Sequence, residues 1–319
     1  MKEFDFIRQY LLRRANNPEV LLGIGDDAAI VRPRPGFDLC FSSDMLLAGR
    51  HFFEDVDPAD LAYKILAVNI SDMAAMGAKP RWMLLSAALP VLDENWLGAF
   101  CNSLFHLAEE FNITLIGGDT TKGSYVFNVS IIGELPQNQA LKRSGAKVGD
   151  DIWVSGHLGL AAAALNHHWE KIVLPPEVFK VCEQVRLRPI PRVALGQSLL
   201  SVASAAQDVS DGLAQDIGHI LKASGVGAHI FADAIPTFSL LKDSVLPAVL
   251  YEYILAGGDD YELVFCAPQN KRDDVMAAAR KSNTQVTCIG KITEGCNLLI
   301  TDANGQVVVL DSLGFDHFG

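Results

Sequence analysis

Positive charge is the first thing this chain lacks. Its 26 Lys and Arg are outnumbered by 38 Asp and Glu, the formal net charge is −12, and no run of five basic residues occurs. That argues against nucleic acid as the main partner, because binding a phosphate backbone takes clustered Lys and Arg. Phosphorylated small molecules stay open, since divalent cations can supply the missing charge. No apolar run approaches the length of a membrane span, so no membrane partner is expected. The six cysteines (40, 101, 182, 266, 288 and 296) form no C-x-x-C pair and read as reduced thiols, mostly in the core, of a cytoplasmic protein. Met1-Lys2-Glu3-Phe4-Asp5 is charged and helical rather than signal-like. There is no Walker A motif, no kinase glycine loop paired with H-R-D, no G-x-S-x-G elbow and no His/Cys cluster with zinc spacing. P-loop nucleotidases, protein kinases, serine hydrolases of that type and zinc enzymes lose support accordingly.

What is present suits two domains. The chain has 319 residues, half of them hydrophobic, with no fixed-period repeat and no low-complexity tract. Strand and helix signals interleave throughout, which favours α+β or α/β over all-α or all-β. An amphipathic helix is expected over 4–15, and strands over 20–23, 28–32 and 38–43. Asp57-Pro58 opens a helix that runs to Met76, with Gly77 as its left-handed terminator. Asn69 and Asp72 share one face near its end. A strand is expected at 82–89, a helix at 93–110, a strand at 112–116, a turn at 117–121 and a strand at 125–135. The polar, glycine-bearing stretch 141–151 is the best domain boundary. Beyond it come a strand at 151–154, an alanine-rich helix after Gly156-x-x-Gly159, helices near 192–204 and at 213–224, and a strand at 263–267.

The chemistry lies in the acids. Gly23-Ile24-Gly25-Asp26-Asp27 looks like a phosphate-binding glycine turn, yet it sets two carboxylates where phosphate would lie. Cations standing between protein and phosphate resolve the conflict; an ordinary acidic turn is the alternative. The same setting, Asp beside Gly or Ser at the end of an apolar segment, recurs at Asp44, Asp72, Asp119 and Asp208/Asp211. Carboxylate and hydroxyl oxygens are the hard ligands that Mg²⁺ takes, together with water and substrate phosphates. The glycine pair at 156 and 159 could hold phosphate but more often marks plain helix entry. His167 and His168 read as surface residues.

Taken in order, the motifs are Gly-Ile-Gly-Asp-Asp-Ala (23–28), Ser-Ser-Asp (42–44), Gly-x-His-Phe (49–52), Asp-Pro-Ala-Asp-Leu-Ala-x-Lys (57–64) and Ala-Val-Asn-Ile-Ser-Asp-Met-Ala-Ala-Met-Gly (67–77). Then come Gly-Gly-Asp-Thr-Thr (117–121), Arg-Ser-Gly-Ala-Lys-x-Gly-Asp (143–150), Asp-Val-Ser-Asp-Gly-Leu (208–213), Gly-Gly-Asp-Asp-Tyr-Glu (257–262) and Gly-Phe-Asp-His-Phe (314–318). This ordered set, running from about residue 4 to 318, resembles the thiamine-monophosphate kinases of the aminoimidazole ribonucleotide synthetase-like superfamily. The resemblance implies a two-domain fold. Residues 1–140 would form an α+β domain that binds Mg-ATP and builds a β-barrel across a homodimer. Residues 141–319 would form an α/β domain that completes the active-site cleft. The implied reaction is the last step of thiamine diphosphate synthesis, the ATP-dependent phosphorylation of thiamine monophosphate.

Carried over position by position, the resemblance makes Asp27, Ser42, Ser43, Asp44, Asp72, Asp119, Asp208 and Asp211 ligands of several Mg²⁺ ions, some through water. Gly118, Asp119, Arg143 and Ser210 would contact ATP. His51, Asp259 and Phe315 would line the thiamine pocket. Asp259 stands where relatives commonly have Glu, and Phe315 where they have Trp, so reach and an indole N–H are lost. No residue is cast as acid or base, because the acceptor phosphate is already ionised. Other enzymes of the superfamily are the nearest rivals, but no C-terminal or early reactive Cys of the kind two of them need is present. A non-catalytic Mg-nucleotide sensor is the rival from another class.

Overall fold

The computed structural model describes residues 3–12 and 17–316. The chain forms two compact units, Met1–Met73 with Ala78–Asn138, and Ala74–Gly77 with Gln139–Gly319. Among the described residues no helix is long and apolar enough to cross a membrane, and all six cysteines are free thiols.

The first unit opens with a short helix α1 (Glu3–Phe6) that continues as a π-turn over Ile7–Leu11. Residues 13–15 of the helix expected there lie outside the described residues. A hairpin of β1 (Val20–Leu22) and β2 (Ile30–Val31) carries the Gly23–Asp27 turn. Then come β3 (Phe37–Leu47), α2 (Pro58–Ala75), β4 (Lys79–Leu89), α3 (Glu94–Glu110), β5 (Thr114–Lys122) and β6 (Val126–Pro136). The strands form a sheet in the order β3-β6-β4-β5, antiparallel except for β4 beside β5, which α3 joins as a parallel crossover. The hairpin packs Val20, Ala29 and Val31 on Trp82, Ile116 and Ile132. Glu134, fully buried, ties it down by accepting from Arg34 Nε at 2.7 Å and from the Arg34 N–H at 2.8 Å.

Helix α2 starts and stops where its sequence says. Asp57 Oδ1 accepts the Ala59 N–H at 2.8 Å, and Pro58 takes the first position, where its missing N–H costs nothing. At the other end Gly77 adopts φ +71°, and the Gly77 and Ala78 N–H groups close on the carbonyls of Ala74 and Met73, the double bond pattern of a Schellman stop. The helix is buried nearly all round: Leu61, Ile65, Leu66, Val68, Met73 and even Asn69 are at most 2% exposed.

The second unit holds β7 (Asp151–Ser155), α4 (Leu160–His168), α5 (Pro176–Leu187), α6 (Val193–Leu199), β8 (Ala205–Val209), α7 (Leu213–Ser224), β9 (Gly227–Phe231), α8 (Ser239–Ser244), α9 (Pro247–Ala256), β10 (Glu262–Ala267), α10 (Arg272–Lys281), β11 (Val286–Thr293) and β12 (Leu298–Thr301). Six strands form one sheet in the order β12-β9-β11-β7-β10-β8, antiparallel except for β9 beside β12. Every residue of β7, β8 and β10 is buried, the polar Asp151, Ser155, Gln207, Asp208 and Glu262 included.

Candidate functional site

In the first unit the acids are placed by one strand and one helix. Strand β3 runs to Leu47, so Ser42, Ser43 and Asp44 sit in mid-strand rather than at the end of a segment. Alternate residues of a strand face opposite ways. Ser42 and Asp44 turn to α2: Ser42 Oγ donates to Asp72 Oδ2 at 2.5 Å, and Asn69 Oδ1 accepts the Asp44 N–H at 3.0 Å. Asn69 is fully buried and is itself held by donating to the Ile65 carbonyl. Ser42, Asp44 and Asp72 are thus brought together. Ser43 is not: the pleat turns its hydroxyl to the other face, where it lies 3.0 Å from Asn128 Oδ1 and 3.1 Å from Ser130 Oγ.

The Gly23–Asp27 turn is exposed at both aspartates, and they differ. Asp26 Oδ1 accepts the Asp27 N–H at 2.9 Å, which folds the turn back on itself. Among the described residues no hydrogen bond reaches the Asp27 carboxylate. Gly118 and Asp119, expected in a turn, lie inside β5 and are exposed. Gly118 has φ +149°, and a Cβ there would stand 1.8 Å from the Leu85 carbonyl oxygen, so only glycine lets β5 run close to β4 just past its own irregular step at Ile116. His51 follows β3 by four residues, and its Nδ1 accepts the Leu47 N–H at 3.0 Å. That fixes the neutral imidazole with its proton on Nε2.

In the second unit the predicted residues gather around one turn, 208–212. Asp208 is buried at the end of β8. The Ser210 carbonyl accepts the Asp259 N–H at 2.7 Å, the Val209 carbonyl accepts that of Tyr261 at 2.8 Å, and the Asp211 carbonyl accepts that of Phe315 at 2.9 Å. Asp259 and Tyr261 both take positive φ, +62° and +52°, to make this crossing, backbone strain of the kind that collects at functional sites. Gln215 Nε2 bonds both Asp211 Oδ2 and the Phe315 carbonyl, each at 3.2 Å. Asp208, Ser210, Asp211, Asp259 and Phe315 are therefore neighbours; His317 and Phe318 of the terminal motif lie outside the described residues. Arg143 is exposed on a loop held by Ser224 at the end of α7, whose Oγ donates to the Arg143 carbonyl and accepts the Gly145 and Ala146 N–H groups. His219, one turn earlier on α7, has its pKa lowered by burial and then by the Arg143 charge.

Several carboxylates that matter here were given no role by the motifs. Asp216 is 1% exposed and gathers the N–H groups of the acidic turn. Its pKa is raised to about 6, by burial first and the charge of Asp211 second. Its position four residues after Gly212, in the first turn of a helix, was the available signal. Asp260 is buried, and both its oxygens lie 3.1 Å from the Gly159 N–H at the start of α4. Burial, with Glu262 and Asp259 nearby, lifts its pKa well above the ordinary carboxylate range. The Gly156-x-x-Gly159 helix entry is thus filled from within the chain and not by phosphate. Glu262 takes a two-pronged bond from Arg192 and another from Ser155, and so ties α6 to β7 and β10.

Among the described residues no three His, Cys, Asp or Glu side chains form a ready metal cluster. The donors that are present are hard oxygens, and they sit one or two at a time, as Mg²⁺ uses protein carboxylates when water and phosphate complete its octahedron.

The chain matches the AIR synthase related protein N-terminal domain over residues 25–135 and the corresponding C-terminal domain over residues 147–302. It is 44% identical over 321 residues to the thiamine-monophosphate kinase of Salmonella typhimurium, covering 99% of this chain and 98% of that one. The crystal structure of thiamine-monophosphate kinase from Stenotrophomonas maltophilia superposes with a TM-score of 0.86 at 41% identity, covering 95% of both chains. AaThiL complexed with AMPPCP and TMP superposes at 0.78 with 28% identity, covering 99% of this chain and 96% of that one. The fold class is therefore that of the AIR synthase related proteins. Within it, the chain belongs to the thiamine-monophosphate kinase family.

Proposed function

We propose that this chain transfers the γ-phosphoryl group of ATP directly to the phosphate of thiamine monophosphate, giving thiamine diphosphate and ADP. A bond forms between an acceptor phosphate oxygen and the γ-phosphorus, and the bond from that phosphorus to the β–γ bridging oxygen breaks. The carrying observation is the Ser42–Asp44–Asp72 grouping, in a chain 44% identical over its length to a thiamine-monophosphate kinase.

Both reactants are anions. Charges of about −2 and −3 some 5 Å apart, at an effective dielectric near 20, repel by roughly 20 kcal/mol. A chain of net charge −12 offers little to offset this. Mg²⁺ fits the oxygen donors described, and when bound it neutralises phosphate charge. Asp27, Ser42, Asp44, Asp72, Asp119, Asp208 and Asp211 are the proposed ligands, some through water. Ser43, with its hydroxyl on the other sheet face, is left out of the side-chain donors.

Gly118, Arg143 and Ser210 contact ATP in this reading, with Asp119. His51 offers its Nε2 proton to the thiamine moiety, Asp259 binds it through a shorter side chain than the usual Glu, and Phe315, 39% exposed, presents a ring to it. The acceptor is ionised, so catalysis rests on positioning and electrostatics without a general base.

Residues 1–140 serve as the Mg-ATP-binding and dimerisation domain in this proposal, and 141–319 as the second domain. The homodimer uses the outer face of β3, an edge strand, where Leu39, Phe41, Met45 and Leu47 are 37–69% exposed. Such an apolar stripe on an edge strand is an aggregation hazard unless a partner covers it. The acidic composition and free thiols fit a cytoplasmic enzyme. The test is direct: phosphorus NMR of the protein with MgATP and thiamine monophosphate. No thiamine diphosphate above background rejects the reading, and nucleotide binding without turnover favours a sensor.

A further inference from the structure

We propose that Asp216 is a positioning residue of the reaction site, which sets the acidic turn by drawing its backbone N–H groups inward. Three successive N–H groups, of Ser210, Asp211 and Gly212, converge on the single atom Asp216 Oδ2 at 3.0, 3.1 and 3.1 Å. Its Oδ1 accepts Gln207 Nε2 at 2.7 Å. Successive N–H groups aimed at one point form a nest that ordinarily binds an anion from solution. Here the chain supplies the anion itself, and at 1% exposure no phosphate can compete for it.

The consequence is directional. With its N–H groups turned inward, the turn offers its carbonyls and side chains the other way. The carbonyls of Val209, Ser210 and Asp211 receive the N–H groups of Tyr261, Asp259 and Phe315. One buried carboxylate thus sets the turn to which the cation residues Asp208 and Asp211 belong and to which the thiamine-pocket residues Asp259 and Phe315 are bonded. Gly212 makes the arrangement possible: φ is +135°, and a Cβ would meet the carbonyl carbon of Ala256 at 2.9 Å. The role asks for an acceptor at this point and not for a particular volume. An asparagine can meet that need. Gln207 Oε1 is buried without a hydrogen-bond partner among the described residues, so a turned-over Gln207 amide would accept from an Asn Nδ2 while the Asn oxygen keeps the three N–H groups.

The proposal rests on the reading of this turn as cation-binding. It is tested on the full chain with Mn²⁺ as probe, followed by electron paramagnetic resonance, together with amide hydrogen exchange and steady-state kinetics. In the native protein the 210–212 amides exchange slowly, although among the described residues no backbone carbonyl bonds them. Asp216→Asn keeps that protection, and its Mn²⁺ affinity stays within about threefold of native. Asp216→Leu fills the same space without an acceptor. It loses the protection, binds Mn²⁺ about 10–100-fold more weakly, the range found for residues that orient metal ligands, and raises KM for thiamine monophosphate more than it lowers kcat. Rescue by Asn but not Leu is what mere packing would not give. A folded Asp216→Leu with near-native Mn²⁺ affinity overturns the proposal, as does fast exchange at 210–212 in the native protein. If Asp216→Leu does not fold, an Asp216→Asn protein that folds but has lost Mn²⁺ binding also overturns it. Failure of the cation reading looks different: the native protein binds no Mn²⁺ while the three amides stay protected.

Discussion

Gly118 offers the sharpest test of how fold and site depend on one another. Alanine at this position meets two penalties. Its φ of +149° is a region that side chains rarely enter, and its Cβ would sit 1.8 Å from the Leu85 carbonyl oxygen and 2.6 Å from the carbonyl carbon. Both contacts are to backbone, so no rotamer relieves them. Reaching ordinary contact at 3.4 Å means moving β5 from β4 by about 1.6 Å, the difference of those two distances. Ladder hydrogen bonds do not survive such a shift. Losing two of them costs about 2 kcal/mol, and the forced backbone adds roughly 1–3 kcal/mol. The expected loss is therefore about 3–5 kcal/mol, a large share of the 5–15 kcal/mol of an ordinary domain. Gly117→Ala is the control. Its Cβ meets only the tip of Leu84, Cδ2 at 3.1 Å, and its φ is unexceptional, so the cost stays below about 1 kcal/mol. Urea unfolding of the two variants measures the gap. Asp119 follows directly, so the folded fraction of Gly118→Ala should also show a raised KM for ATP. Equal urea midpoints for the two variants would refute the strain argument.

Asp72→Asn leaves far-UV circular dichroism unchanged and lowers turnover by at least about 100-fold; near-native turnover removes Asp72 from the donor set. Asp260 holds its proton more tightly folded than unfolded, because burial, Glu262 and Asp259 all raise its pKa from 3.8. The stability it contributes is therefore full below the ordinary carboxylate range and is lost as pH rises through the elevated value. Thermal melts should show Asp260→Asn gaining on the native protein as pH increases from about 4 to 8, and a pH-independent difference contradicts the assignment. Phe41→Asp combined with Met45→Asp breaks the apolar stripe on β3, and sedimentation should find a monomer; a dimer of unchanged affinity places the interface elsewhere.

The sequence is legible where structure is local and opaque where it is not. Helix α2 could be bounded from Asp57, Pro58 and Gly77, because caps and terminators act within a turn of the chain. Helix α7 has the limits 213–224 that its pattern indicates. The length of β3 was not legible. Ser-Ser-Asp reads locally as the end of a strand, yet pairing with β6 carries β3 on to Leu47. That extension sends Ser42 and Asp44 to one face and Ser43 to the other. Gly117-Gly118-Asp119 likewise reads as a turn by propensity, and only the approach of β4 shows why a strand needs glycine there. The motif positions in the second unit did converge, but the carboxylates that organise them had no local signature strong enough. Asp260 caps a helix whose first residue lies 100 positions earlier in the chain.

The aspartates divide by where backbone N–H groups lie, and that division lets so acidic a chain both fold and attract cations. Asp26, Asp57, Asp93, Asp216 and Asp260 each accept at least one backbone N–H. Four of these, Asp57, Asp93, Asp216 and Asp260, do so at a helix start, where the dipole also favours negative charge. Backbone N–H groups serve Asp26, Asp57 and Asp93, and burial raises the pKa of Asp216 and Asp260, so none of the five needs a divalent ion to neutralise it. Asp27 and Asp119 are exposed and accept no hydrogen bond among the described residues, so their compensation has to come from solution. Asp72 Oδ2 accepts the Ser42 hydroxyl. A serine hydroxyl can instead turn its lone pairs outward, at the cost of about one hydrogen bond. Displacing that one hydroxyl costs roughly 1 kcal/mol, against the several kcal/mol that separate Asp216 from its three N–H groups. Exposed Asp27 and Asp119 are thus open to a cation, whereas Asp216 and Asp260 hold a turn and a helix start in place.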